Sequence, residues 1–153
     1  MREAIGGTWL FGLVITFIMF FASFLAVSIN YSKAFNIKNN VVDLISKYEG
    51  NNCNARKKIG EYLNDSGYLV AGTCDSEYTP YGLDGNKISG SKKGYFCVSK
   101  EKISGTQALI EKNYYRVVIF FKIDLPLIGN LTTFKIKGET ESIYFPKDEN
   151  ICK

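Results

Sequence analysis

The chain has 153 residues, a formal net charge of +4 and no histidine. This length fits one folded domain with an anchor. The missing imidazole excludes Ser-His-Asp and Cys-His catalysis and His-ligated zinc. The basic residues are scattered, without a run of five, so we do not expect nucleic-acid binding.

The N-terminal part of the chain is long and apolar. Residues 4–32 carry no charged side chain. About 20 apolar residues cross a hydrocarbon core of ~30 Å, and a helix satisfies the backbone there. We predict an N-terminal tail and transmembrane helix over residues 1–32. A cleavable signal peptide is the alternative, with small residues at 26–28. The charge of Arg2 offset by Glu3 and the length of the apolar run argue against it.

Small residues are spread along this segment. Ala22 and Ala26 form a small-x-x-x-small pair, and such positions let another helix approach closely. Ordinary transmembrane composition, in which glycine is common, is the alternative explanation. The candidate helix-packing residues are Gly6, Gly7, Gly12, Ala22 and Ala26.

The helix is expected to continue beyond the membrane. Apolar residues recur there at spacings of three and four, which is typical of an amphipathic helix. They are Ala34, Ile37, Val41, Leu44 or Ile45, and Tyr48. We predict that this extension covers residues 33–49 and stops at Gly50. A short second helix is predicted over residues 54–64, capped by Asn52 or Asn54.

The remaining chain is predicted to form an antiparallel sheet within residues 68–145. The strongest signal is the alternation from Tyr115 to Leu125, followed by a Pro/Gly connection at 126–130. Residues 75–94 resemble a surface loop, and 101–113 fit a loop or a helical turn. We predict strands over residues 68–71, 94–100, 115–125 and 131–145. The fold class is therefore α+β, with a long N-terminal helix packed on a small antiparallel β-sheet in a domain of residues 33–153.

Four cysteines follow the apolar segment, and none forms a C-x-x-C pair. An even number on one side of a membrane suggests two disulfides in an oxidising compartment, and four buried free thiols are the alternative. Three pairings are possible. We favour Cys74–Cys97, which would close the 75–94 loop, and Cys53–Cys152, which would pin the C-terminus.

The orientation of the anchor has conflicting signals. Lys33 and Lys38 follow the span, and the positive-inside rule taken alone favours a cytoplasmic C-terminus. The cysteines favour the opposite orientation. We expect a single-pass membrane protein with a cytoplasmic N-terminus and an extracytoplasmic C-terminal domain.

Candidate catalytic groups are sparse. Asp124, Glu139 and Glu141 alternate along the predicted hairpin as a solvated face would. Residues 82–85 match neither a phosphate loop nor a calcium loop. We therefore predict no enzymatic activity, no catalytic residues, no metal, no cofactor and no small-molecule substrate.

The overall plan resembles that of type IV pilins: an uncharged span, an amphipathic continuation and a disulfide-bearing sheet. More locally, the chain resembles TadE-like minor proteins of Tad-type pili. The resemblance rests on Arg2-Glu3, Gly6-Gly7, the helix at 34–42, and the sequence at 124–129 leading into 138–140. Cleavage after Gly7 would place Gly12, not glutamate, at the fifth mature position. The resemblance therefore implies a minor or assembly-platform role.

Two functions follow as expectations. The first is a structural component of a bacterial pilus or secretion apparatus at the cell surface, with the membrane and other pilin-like or assembly-platform subunits as partners. The second is a membrane-tethered extracellular binding module that uses the loop at residues 75–94.

Overall fold

The computed structural model describes residues 2–103, 112–125, 129–144 and 146. For residues 2–6, 123–125 and 129–132 it describes the backbone only. One helix, α1 (Arg2–Lys47), contains both the apolar span and its predicted extension. It ends two residues before the predicted boundary. Glu49 and Gly50 both adopt positive φ, and the Gly50 amide donates to the Ile45 carbonyl at 2.9 Å, which closes the helix.

The second helix, α2 (Cys53–Asp65), is confirmed with its cap. The Ala55 amide donates to Asn52 Oδ1 at 2.9 Å, so Asn52 is the capping residue. Ala55, Ile59 and Leu63 recur on one face of α2 and are fully buried. α2 therefore extends the apolar layer that α1 begins.

The strands are antiparallel and form two sheets. A two-stranded sheet joins β1 to β3, and a five-stranded sheet has the order β2-β4-β5-β6, with β7 also paired to β5. This confirms the α+β class. The strands are β1 (Gly72–Thr73), β2 (Thr79–Tyr81), β3 (Lys93–Gly94), β4 (Phe96–Lys102), β5 (Lys112–Leu125), β6 (Gly129–Glu139) and β7 (Ile143–Tyr144).

Two of the four predicted strands were wrong, and the strands at 94–100 and 115–125 correspond to β4 and β5 with shifted ends. Residues 68–71 are not a strand; pairing in this part of the described chain begins at Gly72, which pairs with Gly94 of β3. The predicted strand 131–145 is interrupted after Glu139. Thr140 keeps one ladder bond, from its amide to the Tyr115 carbonyl at 2.9 Å, but its Oγ1 replaces its carbonyl as the acceptor for the Tyr115 amide at 2.9 Å, and regular pairing ends there. The chain resumes pairing only at Ile143, opposite Asn113.

The segment at residues 75–94 is more ordered than a surface loop. It contains β2 and β3, and Tyr78, Pro80 and Tyr81 are buried. Part of the predicted loop or helical turn at 101–113 is strand, since β4 extends to Lys102 and β5 begins at Lys112. Residues 104–111 lie outside the described part, as do 126–128 of the hairpin connection.

The sheet has an apolar layer on each face. On one face, α1 and α2 pack on the sheet through a cluster that includes Ile37, Val41, Ile59, Val117 and Ile119. A second cluster covers the opposite face, and it consists of Cys74, Tyr78, Cys97, Val118 and Phe120. Val118 and Phe120 alternate with Val117 and Ile119 along β5, so they lie on the sheet face opposite α1. They are buried because the segment around Gly72–Tyr78 crosses over them, and Gly72 lies directly against the Phe120 ring.

Candidate functional site: the exposed apolar face of α1

The N-terminal half of α1 does not pack on the domain. Its apolar side chains are exposed; Trp9 and Phe20, for example, are 75% and 70% accessible. The most apolar 18-residue window of α1 has a mean hydropathy of 2.6, and none of it is buried. The helix is therefore long and apolar enough to span a membrane, and this stretch is not a core helix of the described domain.

Three polar side chains of the apolar segment bond to the helix itself. Thr16 Oγ1 donates to the Gly12 carbonyl, Ser23 Oγ to the Met19 carbonyl and Asn30 Nδ2 to the Ala26 carbonyl, each at 2.9 Å. Because each bond spans one helical turn, the polar groups are satisfied without an outside partner. The helix can therefore carry them into apolar surroundings at little cost.

The predicted packing residues have different surroundings. A side chain added at Gly7 or Gly12 would meet nothing within 4 Å. Ala22 is exposed, whereas Ala26 is half-buried. Gly6 lies in α1, and its surroundings are outside the description. The helix backbone is therefore open to a close neighbour at Gly7, Gly12 and Ala22.

Gly12 and Ala26 share a face of α1 with residues that the sequence reasoning left out. Thr16, Ser23 and Asn30 follow at spacings of three, four or seven residues within this set, which keeps them on one side of a helix. The same face continues through Ala34, Ile37, Val41 and Ile45 into the domain core. The sequence contained this signal: the repeat at spacings of three and four residues continues from the apolar segment into the predicted helix extension.

An open groove lies over Gly12 on this face. Trp9, Phe17 and Phe20 border the groove, and the backbone of Gly12, which has no side chain, forms its floor. The groove is almost wholly apolar, since Thr16 turns its hydroxyl back to the Gly12 carbonyl. Its shape suits a ridge of apolar side chains on a second helix.

Cys74 and Cys97 form a disulfide, which confirms the predicted pair. The bridge joins the segment that crosses the second sheet face to the centre of β4, and both cysteines are buried. Cys53 is also disulfide-bonded. Its predicted partner Cys152 lies outside the described residues, so that pairing stays a prediction.

Residues 75–94 are held at several points. Arg56 of α2 donates from Nε to the Gly85 carbonyl at 3.2 Å, and its guanidinium lies 5.3 Å from the Tyr81 ring centroid. Asp75 accepts from Lys135 Nζ at 2.6 Å, and this hydrogen bond lowers the pKa of the Asp75 carboxyl. The longest exposed stretch within it is residues 89–93, where Lys92 and Lys93 follow each other.

The acidic residues on the hairpin do not form a catalytic set in the described part. Glu139 accepts from Arg116 Nε at 2.9 Å, and Glu141 is exposed. The side chain of Asp124 lies outside the description. Among the described residues, there is no group of three or more Cys, Asp or Glu side chains placed to hold a metal ion.

The arrangement offers a contact surface for lipid or for a second helix. Its elements are the exposed apolar half of α1, the open backbone at Gly12 and the rigid connection to a disulfide-bonded sheet. Comparison of the chain with protein-family models, with curated proteins and with solved structures found no match.

Proposed function

We propose that this chain is a membrane-anchored structural subunit of a bacterial pilus or secretion apparatus, of the type IV pilin-like or TadE-like kind. The observation that carries the proposal is the continuity of α1. One helix of 46 residues has an exposed apolar half and a half that forms a wall of the domain core. A subunit of this shape holds its domain at a fixed angle to any helix that packs on the exposed half.

The small and hydroxyl-bearing face of α1 supports assembly through helix packing. Gly12 leaves an opening in an otherwise bulky apolar surface, and the Thr16 and Ser23 hydroxyls are already bonded to their own helix. Lipid provides no hydrophobic drive for helices to associate, so close backbone approach at such positions matters most. Other pilin-like or assembly-platform subunits are the proposed partners.

The proposed orientation has the N-terminus in the cytoplasm and the domain outside. The Cys74–Cys97 disulfide supports it, because such bridges persist in oxidising compartments. Lys33 and Lys38 argue the other way by the positive-inside rule. Protease added to intact protoplasts should degrade the domain, and protection of the domain would reverse the orientation.

Co-purification from the native host tests the assembly role. We expect the wild-type chain to be recovered with other pilin-like subunits after mild detergent extraction. Gly12→Ile should abolish that recovery, since the isoleucine would fill the groove without touching the domain. Leu10→Ile on another face of α1 is the matched control and should keep its partners. A wild-type protein that is strictly monomeric contradicts the proposal.

A membrane-tethered binding module is the second candidate. The feature that favours it is the exposed stretch at 89–93, which carries adjacent Lys92 and Lys93. Deleting all of residues 75–94 would remove β2 and β3, so it would damage the fold as well as the surface. Lys92→Gln with Lys93→Gln is the sharper test. Under this function, the double variant should lose cell adhesion while it keeps its assembly partners.

A further inference from the structure

The β5–β6 hairpin runs along α1 toward its apolar half. At the far end of the domain, the Tyr115 hydroxyl lies beside Gly50. In the middle, Gly138 of β6, which pairs with Val117, packs against Lys38 and Val42. Nearest to the span, the Phe121 ring meets Tyr31. These three contacts, in order, show that β5 is antiparallel to α1.

The hairpin continues past the last of these contacts. Beyond Phe121, β5 extends to Leu125, which pairs with Gly129 of β6. The register of β5 against β6 shifts at a bulge between Lys122 and Asp124, so the four strand residues cover at most about 13 Å, the length of about nine helix residues. The end of the hairpin therefore reaches no farther along α1 than about Ala22.

The burial pattern of α1 provides independent support. Ala22 is exposed, yet Ala26 one turn later is half-buried, although the two side chains are identical. Ser23, Val27 and Asn30 on the same side are half-buried as well. Phe24, Leu25 and Ile29 on the other sides remain more than half exposed. One side of α1 is thus covered from residue 23 onward, where the hairpin is expected to lie.

The end of the hairpin is unsuited to the hydrocarbon core. In the described strands, the β4 ladder on β5 ends at Ile119, and β6 is an edge strand, so backbone groups near the end need water or headgroups as partners. Lys122 is exposed there, and Asp124 carries a second charge. The sequence around these charges is nevertheless apolar: Ile123, Leu125, Pro126, Leu127, Ile128 and Leu131.

We propose that the last pair of the β5–β6 hairpin, Leu125 and Gly129, lies in the lipid headgroup layer beside residues 23–30 of α1. The chain then contacts its membrane at two places, and its hydrocarbon crossing ends near Ala22. Residues 4–22 span about 28 Å as a helix, close to the ~30 Å of a hydrocarbon core. This inference rests on the proposed membrane anchoring, and it adds a second contact that fixes the depth of the anchor.

Tryptophan quenching in vesicles tests the proposal. The full chain is reconstituted in phosphatidylcholine–phosphatidylglycerol vesicles that contain lipids with a nitroxide either at the headgroup or deep in the acyl chain. In a Trp9→Phe background, Leu125→Trp places an indole at the end of the hairpin, and Tyr144→Trp is the control at an exposed site on β7. Ile123→Trp serves as a second probe if Leu125→Trp disturbs the fold.

We expect the headgroup nitroxide to remove most of the emission of the position-125 indole, and the deep nitroxide to remove much less. The position-144 indole should respond to neither. The proposal is overturned if position 125 behaves like position 144, which would place the hairpin end in water or under a second copy of the chain. Stronger quenching by the deep nitroxide would also overturn it. Native Trp9 reports the anchor separately: absence of lipid quenching there would refute membrane anchoring itself.

Discussion

Phe121 meets Tyr31 edge to face, with the ring centroids 6.3 Å apart, and stacks on Phe134 at 5.4 Å. Tyr31 lies at the end of the uncharged segment, so this contact joins the sheet to α1 where the helix leaves its apolar half. Aromatic pairs of this geometry add to the energy of simple burial. The three rings therefore fix the angle between the anchor and the domain.

Phe121→Ala should destabilise the domain by about 3–5 kcal/mol, because it removes a ring that is only 5% exposed and leaves a cavity. The measurement is the midpoint of urea unfolding in detergent micelles, followed by near-ultraviolet circular dichroism. Phe134→Ala is the matched control. Its ring is 39% exposed, so we expect a loss of about 1 kcal/mol. Equal losses in the two variants would contradict the assigned role of Phe121.

Gly60→Ala should also destabilise the domain, against the usual helix preference. In an open helix, alanine gains up to about 1 kcal/mol over glycine. At Gly60, a Cβ would lie 1.8 Å from the Leu83 carbonyl oxygen, so α2 and the 82–86 turn would have to separate. We expect a net loss of about 1–3 kcal/mol in the same unfolding assay. Asn64→Ala, at an exposed position of α2, should change stability little; a stabilised Gly60→Ala would refute the close packing.

The Cys74–Cys97 bridge should be worth about 2–4 kcal/mol, because it closes a loop across a sequence separation of 23 residues. The double variant Cys74→Ala, Cys97→Ala should lose that amount and expose the second apolar cluster. Proteolysis should then cut first within residues 75–94, while α2 stays protected. A double variant as stable and as protease-resistant as the wild type would mean that packing alone holds this segment.

The sequence predicted the features that depend on the spacing of apolar residues close together in the chain. The i, i+3, i+4 pattern indicated α1 and its stripe, and alternation indicated β5. The candidate caps Asn52 and Asn54 indicated the start of α2, and the structure selects Asn52. It did not predict features that depend on distant partners. Val118 and Phe120 are buried by a segment some 45 residues earlier, and regular pairing of β6 ends at Thr140, where Oγ1 accepts from the Tyr115 amide. A strand pattern cannot reveal what covers its second face.

The same limit applies to the candidate site. Composition indicated the span and its small residues, and Cys74–Cys97 followed from the loop it would close. The half-burial of Ser23, Ala26, Val27 and Asn30 could not be predicted, because it requires the register of β5 against α1. That register is fixed by contacts such as Gly138 against Lys38, which are far apart in the chain.

Tyr68→Phe should leave the protein as stable as the wild type or more stable. The Tyr68 hydroxyl is buried and has no hydrogen-bond partner among the described residues. Removing an unsatisfied hydroxyl recovers a desolvation cost of about 1 kcal/mol or more. Tyr62→Phe is the matched control, since its hydroxyl accepts from Asn40 Nδ2 at 2.9 Å and its loss should cost about 0.5–1 kcal/mol.

Tyr68 also makes the free energy of unfolding depend on pH in the alkaline range. Burial raises the pKa of the Tyr68 hydroxyl to about 12, from the ordinary tyrosine value of 10.0. The folded chain therefore holds this proton more tightly than the unfolded chain. Its contribution is complete below pH 10 and is lost as the pH rises toward 12. Unfolding midpoints measured across this window should fall more steeply for the wild type than for Tyr68→Phe. Parallel curves would show that Tyr68 ionises as an exposed tyrosine does.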